Sequence, residues 1–185
     1  MLCFILGLGW VGCGPGGNLM PSEPGSKWTY DVRTGFGAGH VEDVRVVRRL
    51  SVAGTEGFEL SGPLGQSRLA WKGGTLWMDR TNGVSFDPPA PLLKADESAA
   101  SWKGKLRMPF GTEVATGSLS HGKETLKIAG RNFETTRSEL SFERAVGTTT
   151  ITTWFAAGTG IVRQEQRTRG ALDLRLEWVA GPARS

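Results

Sequence analysis

Apolar and polar residues alternate with a period of two along most of this chain. KWTYDVR puts Trp28, Tyr30 and Val32 on one face and Thr29, Asp31 and Arg33 on the other, the signature of a half-buried strand. A Val-rich run, HVEDVRVVRRLSV, follows a GFGAG turn, and FELSG, QSRLAWKGG and TLWMDRTNG continue the pattern. The pairs Gly73–Gly74 and Asn82–Gly83 predict tight hairpins, because both residue types accept positive φ. DPPAPLL (87–93) breaks the pattern. Pro88, Pro89 and Pro91 bring no N–H donors, so a rim or crossover segment between two halves of the sheet is expected there. Strands resume in SWKGKLR and in EVATGSLSHGKETLKIAG, with a turn expected at His121–Gly122. NFETTRSELSFER, GTTTITTWF, GIVRQEQRT and ALDLRLEWVA complete the series. In the last of these, Leu172, Leu174, Leu176 and Trp178 alternate without fault with Asp173, Arg175, Glu177 and Val179. No segment carries a sustained helical period. The expected fold is all-β: a single antiparallel, strongly curved sheet or open half-barrel of about ten strands.

The first residues do not fit that scheme. LCFILGLGWV (2–11) is apolar without alternation and ends abruptly at Gly12, Cys13 and a Gly/Pro run, GPGG. It is too short to span a bilayer, which takes around 20 apolar residues, but long enough for the apolar region of a secretory signal. A first buried strand would have to be central in the sheet, an awkward position for a segment that leads into GPGG. Gly12–Cys13 resembles the processing box of bacterial lipoproteins, in which a small residue precedes a cysteine that becomes the acylated N-terminus. Trp10 stands where that box usually has Leu, and no Lys or Arg precedes the apolar run. The resemblance implies a signal peptide over 1–12, a lipidated Cys13 opening a flexible tether over 13–26, a β domain over 27–181 and a short tail, 182–185. Plain secretion, and a leading strand, are the alternatives.

Composition narrows the function classes. Cys3 and Cys13 are the two cysteines, so removal of the signal leaves one thiol and no disulfide within the chain. The 22 Lys and Arg exceed the 18 Asp and Glu by four, but the two signs are interspersed, which gives no basic stripe for nucleic acid. His40 and His121 are isolated in Gly-rich stretches, with no HxH, HExxH or CxxC pattern, so no metal or other cofactor is expected. GFGAG lacks the strand–turn–helix context of a phosphate loop. TGSLSHG has the wrong spacing for a nucleophile elbow, and Ser118 or Ser120 could meet His121 only if strand neighbours shared a face. The carboxylate pairs Glu42/Asp43 and Asp96/Glu97 lie in polar surroundings, with nothing to desolvate one member for acid catalysis. The expectation is a protein that is not an enzyme.

Seven Trp against one Tyr is the unusual feature that remains. One reading makes them core fillers of a curved sheet. The other makes Trp28, Tyr30, Trp71, Trp77 and Trp154 the lining of a concave face that holds a lipid-like ligand.

From PSEPGSKWTY onward, the chain resembles a largely uncharacterised family of bacterial exported β-sheet lipoproteins. The family's Gly-x-x-Trp-x-Tyr opening is met by Gly25, Trp28 and Tyr30. Its small-residue–Gly turn into an aromatic strand is met by Ile128, Ala129, Gly130 and Phe133. Its closing hairpin is met by TTTITTWFAAGTGIVRQE, with Trp154, Phe155, Gly158, Gly160 and Val162. Ala157 stands where Pro is common. The resemblance implies a half-barrel similar to that of lipoprotein carriers, held at the cell envelope by its acyl chain. The expected role is a structural or partner-binding module, with carriage of a hydrophobic ligand as the alternative and no nucleic-acid partner.

Overall fold

A computed structural model describes residues 19–184 apart from 36 and 64. Cys13 and the expected signal segment lie outside the described residues. The described chain forms β1 (Ser26–Thr34), β2 (His40–Val52), β3 (Thr55–Gly62), β4 (Gly65–Lys72), β5 (Thr75–Thr81) and β6 (Val84–Lys94). The series continues with β7 (Ala100–Met108), β8 (Gly111–Ile128), β9 (Arg131–Glu143), β10 (Thr149–Ala156), β11 (Gly160–Thr168) and β12 (Ala171–Arg184). Each strand pairs antiparallel with the next, and β1 pairs with β12 as well as β2, so the sheet is closed.

The all-β, antiparallel expectation holds, while the open half-barrel of about ten strands is corrected to a closed barrel of twelve. Closure removes the two free edges that an open sheet would expose. Two-residue turns make the up-and-down path possible. Gly73–Gly74 and Asn82–Gly83 both have positive φ throughout, as their sequences require, and Ala129–Gly130 turns β8 into β9 in the same way.

Three local expectations also change. DPPAPLL is part of β6 and not a rim segment. It is tolerated because its ladder to β7 covers only Ser85–Asp87 opposite Lys105–Arg107, so the prolines fall where no donor is asked for on that side. His121–Gly122 is no turn: both lie within the 18-residue β8, opposite Ser138 and Arg137 of β9. The sheet also extends past 181, with Ser26 opposite Arg184 and Lys27 opposite Ala183. Gly181 makes that extension possible, since its φ is 110° and a Cβ there would come within 2.6 Å of the Lys27 carbonyl oxygen.

One face of nearly every strand fills the barrel. Trp28, Tyr30 and Val32 of β1 are buried, as are Leu176 and Trp178 of β12 and Leu140 and Phe142 of β9. Phe86, Trp102 and Phe142 pack as an aromatic trio with ring centroids 5.4–6.0 Å apart. The segment expected as tether is partly built into this core. Met20 is buried, and a Cβ on Gly160 would meet its sulfur at 3.4 Å and Pro21 at 3.3 Å.

Candidate functional site

The first strand meets the β10–β11 hairpin inside the barrel. Trp28 Nε1 donates to the Thr159 carbonyl at 2.6 Å, and the Tyr30 hydroxyl donates to the Ile161 carbonyl at 2.7 Å. The opening and closing motifs singled out in the sequence therefore bond to each other across 131 residues. Burial drives the Tyr30 phenol far above its ordinary range, so it stays a neutral donor.

Beside this pair lies a cavity of about 40 Å³, lined by Trp28, Tyr30, Leu60, Leu69, Met78 and Leu176 among others. A water needs roughly 10–15 Å³ of such space, whereas drug-sized ligands occupy sites of about 300–1,000 Å³. The interior is therefore packed in this state, with room for a few small molecules and none for an acyl chain.

The structure brings together only two of the five aromatic residues proposed as a concave lining. Trp28 and Tyr30 face the cavity. Trp71 is half-buried at the margin of the core, and its indole N–H is buried without a partner. Trp77 projects from the outer face of β5, with its N–H 3.3 Å from the Lys72 carbonyl. Trp154 lies on the outer face of β10, beneath the Arg163 guanidinium at 5.7 Å and donating to Glu124. Period-two alternation assigns a residue to a face, but an outer position covered by long charged side chains is as dry as an inner one.

Sequence reasoning missed the seam between β6 and β7. Where the prolines end the ladder, side chains replace it. Trp102 Nε1 donates to the Pro88 carbonyl at 2.9 Å, Ser138 Oγ donates to the Leu92 carbonyl, and the Lys94 N–H donates to His121 Nε2 at 3.2 Å. Accepting at Nε2 places the ring proton of neutral His121 on Nδ1, which is buried without a partner. Burial holds the His121 pKa below its ordinary value, against the opposing pull of Glu97 and Asp96. The signal available in the sequence was the proline cluster itself, which leaves carbonyls in need of outside donors.

These assignments decide what the polar groups are free to do. Ser118 and Ser120 are exposed, while His121, the next residue along, is half-buried on the other face of β8. Ser138 stands directly across from His121, yet both are committed to the β6 backbone and not to each other. His40 sits at the exposed start of β2, 2.6 Å from Glu42. Among the described residues, no three of His, Cys, Asp and Glu gather as a metal site would require. Among the same described residues, no helix is long and apolar enough to cross a membrane.

The outer face is laced with ion pairs. Glu59 is held below the usual carboxylate range by Arg48, whose Nε and Nη2 lie 3.3 and 3.1 Å from its two oxygens, with Arg68 on the other side. Lys27 and Arg45 bring Asp43 down to about 2. Asp79 moves the other way. It is the extra residue of a bulge in β5, one oxygen is buried without a partner, and desolvation raises its pKa.

No protein-family model matches the chain, and no curated protein matches its sequence. Solved structures do resemble it. A candidate lipoprotein from Parabacteroides distasonis superposes with a TM-score of 0.52 at 12% identity, covering 86% of this chain and 96% of that one. A candidate exported protein with a YmcC-like fold from Bacteroides fragilis gives 0.48 at 16% identity, with the same coverage of 86% and 96%. The hypothetical lipoprotein YmcC of Escherichia coli gives 0.44 at 16%, covering 90% of this chain and 87% of that one. The first of these likenesses is one of fold.

Proposed function

We propose that this chain is an exported, lipid-anchored protein of the bacterial cell envelope, acting as a structural or partner-binding module and not as an enzyme. The observation that carries this is a junction in the chain: Gly12–Cys13, which resembles a lipoprotein processing box, and a GPGG run stand shortly before a closed barrel with a packed interior, whose first strand opens at Ser26. The polar side chains best suited to chemistry, His121, Ser138 and Tyr30, are engaged with backbone partners that hold the barrel shut. The fold shared with a candidate lipoprotein from Parabacteroides distasonis supports the same reading. An enzyme would instead be expected to hold a desolvated group beside a space where substrate fits.

Carriage of a lipid-like ligand is the second reading, favoured by the apolar cavity beside Trp28 and Tyr30. It requires the barrel to open, since about 40 Å³ admits no acyl chain.

Mass spectrometry of the N-terminal peptide, on protein recovered from cell membranes, tests the anchoring. The expected result is a diacylated or triacylated Cys13 as the first residue. An intact MLCFIL start with a free Cys13 thiol would refute it.

A further inference from the structure

The seam between β6 and β7 leaves one strand edge unfilled. Residues 100–104 of β7 pair with β8 on one side, while their ladder to β6 starts only at Lys105. The opposing stretch of β6 holds Pro88, Pro89 and Pro91, which have no N–H to offer. Over this gap runs a groove of about 700 Å³, well above the interior cavity and inside the range of about 300–1,000 Å³ common to ligand sites. Trp77 and the three prolines form its apolar walls, and Trp102 closes its floor from the core side. Lys72 and Lys103 stand exposed at its rim, and the lining contains no acidic side chain. Neither lysine has a carboxylate partner among the described residues, in a surface where most cations do.

We propose that this groove is a docking site for an extended, acidic peptide segment of a protein partner, which adds as a strand along the free edge of β7. Backbone groups of residues 100–104 supply the hydrogen bonds, Trp77 and the prolines receive alternate apolar side chains, and Lys72 and Lys103 receive carboxylates. A stacking ligand such as a sugar fits less well. Trp102 is only 6% exposed and its N–H is already committed to Pro88, so two open aromatic faces are not on offer. The site gives the partner-binding reading a location and rests on it for biological context, while the geometry is independent of acylation.

The test uses the full chain in detergent and three fluorescent eight-residue peptides, followed by anisotropy. One alternates valine with glutamate, the second is its counterpart N-methylated along one edge, and the third alternates valine with lysine. The glutamate peptide is expected to bind saturably, and N-methylation to weaken it by roughly tenfold or more, as loss of about one net hydrogen bond implies. Lys103→Glu alone, and together with Lys72→Glu, should weaken the glutamate peptide and strengthen the lysine peptide. Both residues are exposed, and circular dichroism verifies that the variants fold. Saturation by none of the peptides overturns the proposal, as does indifference to N-methylation or to the charge swap. Phosphatidylglycerol vesicles serve as the competing surface, and vesicle binding without peptide binding overturns it in favour of a lipid contact. Because acylation is not needed for the assay, failure here leaves the anchoring reading standing, and a free Cys13 would leave the groove untouched.

Discussion

At the residue scale, His121 shows how a side chain with no motif around it acquires a role. In the sequence it is a solitary histidine beside a glycine, where a turn is expected. Within β8 it accepts the Lys94 N–H, a bond that only the neutral ring can make. Its pKa is lowered in the folded barrel by burial, so below the ordinary histidine range the unfolded chain takes up a proton that the folded chain refuses. The resulting stability is fully present above the unfolded pKa of about 6.5 and is lost as pH falls through the folded value. Urea melts between pH 8 and pH 5 should therefore show falling stability on the acid side. In His121→Gln, whose amide oxygen keeps an acceptor without a titrating group, that slope should flatten; parallel curves for the two proteins would exclude this role. Period-two patterning correctly told that His121 and its serine neighbours face apart. It did not tell what stood opposite, because Ser138 and Lys94 come from distant parts of the chain.

At the scale of elements, β6 shows where propensity and context part. Three prolines argue against a central strand when each strand is assumed to have two full ladders. The barrel relaxes that assumption by giving β6 three ladder pairs to β7 and three side-chain bonds in place of the rest. Trp102→Phe tests this arrangement, since it keeps a ring against Phe86 and Phe142 while removing the donor to the Pro88 carbonyl. A loss of about 1 kcal/mol is expected. Hydrogen exchange should quicken in residues 88–94 and 100–104, with β10 to β12 unchanged; uniform quickening over the whole sheet would mean that the seam is not a separate weak point. The hairpins, by contrast, were legible beforehand. Gly73–Gly74 and Asn82–Gly83 turn where predicted because positive φ is a property of the residue itself.

At the scale of the whole molecule, the question is whether the barrel stays shut. Trp28 and Tyr30 report on it directly, since both border the cavity and both bond to the β10–β11 hairpin segment. Titration with palmitate, followed by tryptophan emission, should leave the spectrum unchanged if the packed interior persists. A saturable blue shift, abolished by filling the cavity with Val44→Phe, would instead establish that the barrel opens and carries a ligand. The sequence by itself determined the antiparallel all-β class, most strand positions, the Gly73–Gly74 and Asn82–Gly83 turns and the apolar-then-Cys13 start, because each is written in residues near one another. Only the tertiary structure decided closure, strand number and the seam. Closure depends on β1 meeting β12, about 150 positions away in the chain, and local alternation is the same in a sheet that curls halfway and one that curls fully. The same distance explains why the five aromatic residues read as one lining are divided between the cavity, the core margin and the outer face. A period of two specifies a face of a strand, and the curvature and side-chain cover of the finished barrel specify which of those faces is dry.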